Sequence, residues 1–191
     1  MHVRNRTRSL AGAVVAGVLL TACSTAQADE TATETATESA TDTDAAGGAV
    51  EVVGVDYGFE GLDGPIDAGS TLTFRNASEV EYHEVVVMRV PDEETRSLDE
   101  LLALPPEEAG QALEFVGVAV APPGEEGEVV AGDLTLDQPG RYVATCFIPI
   151  GADPDVVHEA MHGAEGEDAP PDLGDGEPHA MAGMAAEFTV E

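Results

Sequence analysis

The chain has 191 residues, with 38 aspartates and glutamates against 7 basic residues, and carries a formal net charge of −31 at pH 7. A surface of that sign repels nucleic acid and anionic headgroups, and it favours basic partners or simple solubility in high salt. Roughly 140 residues follow an N-terminal polar tract, enough for one compact domain with one core.

Arg4, Arg6 and Arg8 precede an apolar run from Leu10 to Leu20. That run is too short to span a bilayer as a stable helix, for which about 20 residues are needed, so residues 1–22 are expected to be an export signal. The run ends in Leu20-Thr21-Ala22-Cys23, which resembles the lipobox of bacterial lipoproteins. The resemblance implies cleavage before Cys23, lipidation of its sulfur, and a mature chain held by acyl chains on the extracytoplasmic face of the cell membrane. Residues 23–48 are threonine, alanine, glutamate, serine and aspartate with almost nothing that could form a core. They are expected to be a solvated tether, because they cannot offset the entropy of ordering.

Cysteine usage is informative. Cys23 and Cys146 are the two cysteines, so lipidation of Cys23 leaves Cys146 with no partner for a disulfide. A lone thiol in an oxidising compartment is a liability unless something occupies it, and a metal would; the bland alternative is a cysteine packed as a small hydrophobe.

From residue 49 onward the pattern is β. Ala49–Val55 and Ser70–Arg75 alternate as strands, the second placing Leu72 and Phe74 on one face. Between them Gly58, Gly61, Asp63-Gly64-Pro65 and Gly69 mark turns. Tyr82–Val90 is the most hydrophobic strand and is expected to be central, with His83, Val85 and Val87 on one face and Glu84, Val86 and Met88 on the other. Ser97 with Glu100 forms a capping box before a short helix ending at Pro105-Pro106, and 107–113 is a second short turn of helix. Phe115–Val120, Gly127–Val130, Asp133–Leu136, Arg141–Cys146 and Ala186–Val190 read as further strands, with Pro122-Pro123-Gly124 as a hairpin connection. Short strands at even spacing with one helical insertion predict an all-β, two-sheet sandwich.

Cys146, His179 and Met184 share the C-terminal stretch, and His83 is the candidate for a second imidazole. A thiolate, two imidazoles and a thioether are the donor set of a mononuclear type 1 copper centre. Gly140-Arg-Tyr142 before Cys146, Pro178-His179-Ala-Met-Ala-Gly-Met184 before a closing strand, and the Gly69–Asn76 segment leading to His83 resemble the cupredoxins, particularly the plastocyanin-like blue copper proteins. The resemblance covers residues 50–191 and implies a Greek-key β-sandwich binding one copper through His83, Cys146, His179 and Met184. It also implies one-electron transfer to a redox partner protein, and an outer edge of His179 presented through an apolar patch of Pro149, Ala180, Met181 and Ala182.

Two departures stand out. Glu84 follows the first histidine where family members often carry an asparagine that hydrogen-bonds toward the cysteine loop, and 32 residues separate Cys146 from His179 where the pattern has a few. Residues 151–177, acidic and rich in glycine and proline, are expected to be an exposed loop insertion whose closure entropy grows only logarithmically with length. Within it, His158 and His162 would share one face of a helix and form a second, weaker candidate metal site. A copper carrier and a sandwich without metal are the competing readings. An enzyme is disfavoured, because copper oxidases need further sites, often built on His-X-His pairs, and no two histidines here are so arranged.

Overall fold

The computed structural model describes residues 47–163 and 173–191. The expected signal, Cys23 and nearly all of the tether lie outside the described residues. Among the described residues no helix is long and apolar enough to cross a membrane.

Strands β1 (Ala49–Val55), β2 (Gly58–Glu60) and β3 (Thr71–Asn76) form a three-stranded sheet in the order β2-β1-β3. Strands β4 (His83–Val90), β5 (Glu114–Ala121), β6 (Glu128–Gly132), β7 (Gly140–Thr145) and β8 (Ala185–Val190) form a five-stranded sheet in the order β6-β5-β4-β7-β8. β4 is central, as its hydrophobic run predicts. β7 returns to lie antiparallel beside β4 after the β4, β5 and β6 strands have been laid down in sequence, which is the Greek-key connection. The fold is therefore the β-sandwich that the cupredoxin resemblance implies.

Period-two alternation explains the core. In β3, Leu72 and Phe74 are buried while Thr71 and Thr73 face solvent. They meet Val85 and Val87 of β4, Ala119 and Ala121 of β5, and Tyr142 and Ala144 of β7 in one cluster between the sheets. Helices α1 (Leu98–Leu102) and α2 (Pro106–Ala112) come from the insertion between β4 and β5. Ser97 accepts from the Glu100 N–H and the Glu100 carboxylate accepts from the Ser97 N–H, the expected capping box. Leu101 packs on Val90 and Val143 and covers part of the outer face of the larger sheet.

Three expectations are corrected. Asp133–Leu136 is not a strand, because Leu134 adopts a left-handed φ of 55° that breaks the extended run. The segment is still pinned along β3, with Leu134 and Leu136 fully buried and backbone bonds from Leu72 N–H to Leu134 and from Leu136 N–H to Ser70. The glycines after Val55 do more than turn the chain: Gly58–Glu60 is strand β2, antiparallel to β1. The acidic insertion is not simply exposed, since its helix α3 (Pro154–Gly163) buries Val157 completely against a cluster that includes Tyr82, Cys146, Ile148 and Met184. The ends of the insertion are clamped by a Pro149–Pro178 bridge and by the Ile150 N–H bond to the Glu177 carbonyl, 2.9 Å. That is why so long an insertion leaves the sandwich intact.

Candidate metal centre

His83 opens β4 and Cys146 follows the last residue of β7. Because the antiparallel register pairs Val86 with Thr145, these two residues emerge at the same end of the sandwich. Residues 76–81 aim His83. Asn76 Nδ2 donates to the carbonyls of Glu81 and Ala121, its Oδ1 accepts from Ser78 N–H, and Ser78 Oγ accepts from the N–H groups of Val80 and Glu81. A turn with each of these polar groups paired leaves little freedom to the strand that follows.

The third and fourth candidate ligands come from the segment before β8. A 3₁₀ turn, His179–Ala182, is closed by Gly183 in a left-handed conformation, φ 116°. That geometry suits glycine, and it returns the chain so that the Met184 N–H donates to the His179 carbonyl, 2.9 Å. Backbone bonds stitch this loop to the cysteine: Ala180 N–H to the Cys146 carbonyl, 2.7 Å, and Cys146 N–H to the Met184 carbonyl, 3.2 Å. Across the sheets, Gly54 of β1 has no side chain where one would stand 3.2 Å from the Met184 methyl carbon, so the thioether has its space by virtue of that glycine.

The result is a convergence of donor atoms. His83 Nδ1 lies 3.2 Å from His179 Nδ1, which lies 3.4 Å from Cys146 Sγ, and one ligand atom of each of the three residues falls within 4.8 Å of the others. All three residues and Met184 are completely buried. Bonds of about 2.0–2.3 Å from nitrogen and sulfur to one ion put the ligand atoms roughly 3.2–4 Å apart. The two observed separations fit that spacing, so the donor set suits a soft or borderline metal ion.

Electrostatics prepare the same result. Burial, and then the neighbouring His179, lower the His83 pKa to about 4; burial also lowers that of His179, against the pull of Glu81 and Asp56. Both imidazoles are therefore neutral at neutral pH, with lone pairs available to a metal. Burial, followed by the charge of Glu84, pushes the Cys146 thiol up to about 12, so without a metal it keeps its proton. The outer nitrogens, Nε2 of each ring, have no hydrogen-bond partner among the described residues. They face carboxylates at ion-pair distance, His83 toward Asp56 at 4.0 Å and His179 toward Glu81 at 3.6 Å.

Glu84 makes the bond toward the cysteine loop that the sequence left in doubt. Its Oε1 accepts from the Phe147 N–H at 2.9 Å, tying β4 to the residue after the cysteine. Burial raises its pKa to about 7 against the opposing pull of that hydrogen bond.

The expected exposure of His179 is corrected. Its ring is 0% exposed, covered by Glu81 and by Tyr57, whose ring stands edge-on at 5.4 Å between centroids. Of the patch expected around it, Met181 is 54% exposed but Ala180 is buried, and Phe147, 47% exposed, is an apolar neighbour that the sequence pattern did not single out. Asp56 and Tyr57 also escaped sequence reasoning. They form the β1–β2 turn, and the one local signal was the glycines flanking them. His158 and His162 do lie together on α3, ring centroids 4.4 Å apart, with Glu128 of β6 3.9 Å from His162 Nδ1. Among the described residues, however, His83, Cys146 and His179 are the one group of three such side chains whose ligand atoms converge.

No protein-family model matches the chain, and the search of curated proteins finds no match. Solved structures do. The chain is similar to sodium-dithionite-reduced auracyanin from the photosynthetic bacterium Roseiflexus castenholzii, at 19% identity over 75% of this chain and 96% of that one, TM-score 0.40. It is similar to auracyanin B at 17% identity over 75% and 88%, TM-score 0.36. It is also similar to auracyanin A, a "blue" copper protein from the green thermophilic photosynthetic bacterium Chloroflexus aurantiacus, at 16% identity over 75% and 98%, TM-score 0.36. Likeness of this size assigns no function, so the site's own atoms must decide.

Proposed function

We propose that the protein is a type 1 (blue) copper protein that carries single electrons and is anchored to the extracytoplasmic face of the cell membrane through an acylated Cys23. One observation carries the reading: a buried thiol and two neutral imidazoles with their ligand atoms within 4.8 Å of one another, at one end of a rigid sandwich. His83 and His179 would bind through Nδ1, Cys146 as thiolate, and Met184 through its thioether as a weak ligand that tunes the potential. Copper, when bound, supplies the one-electron couple between Cu(II) and Cu(I).

The chain's own residues do the rest. Cys146 gives up its proton on metal uptake, so loading releases a proton. Glu84 holds the cysteine loop to β4, and the loop bonds of Ala180 and Cys146 hold His179 and Met184 against it. Complete burial of the four side chains excludes water, and ligands drawn from two strands and one braced loop move little when the charge of the centre changes. A redox partner protein, basic to match this acidic surface, would take the electron. The lipid anchor rests on the lipobox-like Leu20–Cys23, and the mass of the N-terminal peptide checks the acylation.

An absorption spectrum tests the function. The oxidised, copper-loaded protein is expected to show an intense visible thiolate-to-copper band that Cys146→Ser abolishes. A colourless copper complex, or a band that survives the substitution, would overturn the assignment. The paired His158 and His162, whose helix packs beside the centre, support a second reading as a copper carrier; its signature is rapid copper transfer to an acceptor without a blue state.

A further inference from the structure

Helix α3 carries a pattern that the buried centre leaves unused. His158-Glu159-Ala160-Met161-His162 has the His-Glu-X-X-His spacing of zinc-binding helices, in which two imidazoles four residues apart leave one face. The chain is helical from Pro154 to Gly163, so the spacing acts as that pattern requires. The two rings lie beside each other, tilted by 43°, with centroids 4.4 Å apart. Two imidazoles bound to one ion at about 2.0 Å set their centroids roughly 4.5–5 Å apart, so a small side-chain rotation closes the pair on a metal.

The second observation is what each ring faces. Tyr82 Oη stands 3.4 Å from His158 Nδ1, and a carboxylate oxygen of Glu128 on β6 stands 3.9 Å from His162 Nδ1. A metal-binding histidine turns its other ring nitrogen to a carboxylate or another hydrogen-bonding oxygen, which keeps the proton there and leaves the remaining lone pair free. The nitrogens so freed are the two Nε2 atoms, which have no hydrogen-bond partner among the described residues. Tyr82 is 1% exposed and packs in the cluster of Cys146 and Met184, so its hydroxyl is a fixed post for His158. His158 is exposed and the His162 side chain is 29% exposed, so an ion reaches both from solvent. Among the described residues no third histidine, cysteine or carboxylate converges with the pair. Catalytic zinc sites have three protein ligands; two ligands leave an open, exchangeable site that binds an ion without the means to hydrolyse.

We propose that His158 and His162 bind one divalent first-row metal ion through Nε2, with Tyr82 and Glu128 holding the rings from behind. Imidazole nitrogen suits Cu(II) and Zn(II), and the general order of affinities puts Cu(II) ahead. A formal charge of −31 on the chain raises the concentration of cations at the surface that the site faces. The pair is distinct from His83, Cys146 and His179. Copper held there has no thiolate ligand and hence no intense visible band. The site stands on the geometry of α3 and not on the electron-carrier reading.

The probe is Cu(II), titrated into the full chain in excess magnesium, which prefers oxygen ligands and occupies the surface carboxylates. Bound copper is counted by equilibrium dialysis. The double variant His158→Ala, His162→Ala is expected to bind one equivalent fewer than the parent chain, a difference that reads this site whether or not the buried centre loads. The electron paramagnetic resonance of that equivalent should show coupling to imidazole nitrogen without an accompanying visible thiolate band. Each single substitution should weaken it at least about tenfold, since the pair binds as a chelate. Glu128→Gln should weaken it about tenfold by removing the carboxylate behind His162. Circular dichroism verifies the fold, and the single variants carry the comparison if the double variant does not fold. Equal stoichiometry in the parent and the folded variants, or an equivalent coordinated by oxygen alone, would overturn the proposal; an unchanged affinity in Glu128→Gln would overturn the part given to that carboxylate. The visible copper band is a separate readout, so failure here leaves the electron-carrier reading standing, and failure of that reading leaves this site.

Discussion

Glu84 ties the cysteine loop to β4 through a buried carboxylate. An asparagine at this position would accept from the cysteine loop through an amide oxygen; Glu84 does so through Oε1, and its raised pKa, about 7, records the cost of burying a carboxylate there. Glu84→Gln keeps the acceptor and should fold with unchanged copper binding. Glu84→Ala leaves the Phe147 N–H without its partner, and thermal unfolding should show a loss of about 2 kcal/mol. Equal stability in the two variants would remove the bond from the account. Met184, proposed above as a weak thioether ligand, is tested differently, because such a ligand would tune the centre more than hold it. Met184→Leu should retain copper and raise the reduction potential, measured by redox titration of the visible band; loss of all copper would contradict the proposed weak-ligand role.

At the scale of elements, the insertion between Cys146 and His179 matters most. Its base is closed by the Pro149–Pro178 bridge, and its helix α3 drives Val157, 0% exposed, into the cluster that contains Cys146 and Met184. The insertion is thereby part of the wall around the centre. Val157→Ala removes two methyl groups from a packed site and should cost about 1–3 kcal/mol in thermal or denaturant unfolding. The same variant should expose α3 to proteolysis before the sandwich is cut, since α3 is attached to the rest mainly through that face. The β1–β2 turn is the other element that the site depends on. Tyr57 accepts a left-handed φ of 62°, unfavourable for a bulky residue, and in that conformation its ring covers His179 while Asp56 faces His83.

For the whole molecule the governing quantity is charge. Thirty-eight acidic residues against seven arginines set up self-repulsion that opposes the compact state. Salt screens it, the Debye length falling from about 30 Å at 0.01 M to about 3 Å at 1 M. The midpoint of thermal unfolding should therefore rise with sodium chloride over that range, and the rate of electron transfer to a basic partner should fall. A midpoint that is flat or falls with salt would mean that the local ion pairs, such as Arg89 with Asp92 and Glu114, outweigh the net repulsion.

The sequence by itself determined the sandwich and the identity of the three side chains whose ligand atoms converge, His83, Cys146 and His179. Alternation in Thr71–Asn76 and His83–Val90 sets which faces are buried, the Ser97 and Glu100 pair sets where α1 begins, and the order of His83, Cys146, His179 and Met184 is written along the chain. These signals are local, carried by neighbours a few residues apart, and a period or a cap can be read without knowing what lies across the sheet. The tertiary structure alone decided what depends on contacts between distant segments. It kinked Leu134 out of a strand, covered His179 with Tyr57, and gave Glu84 its partner. It also folded α3 inward, onto the cluster that holds Cys146 and Met184. Each of these is settled by packing between residues far apart in the chain, where burial and the pairing of polar groups outweigh the local preferences that the sequence displays.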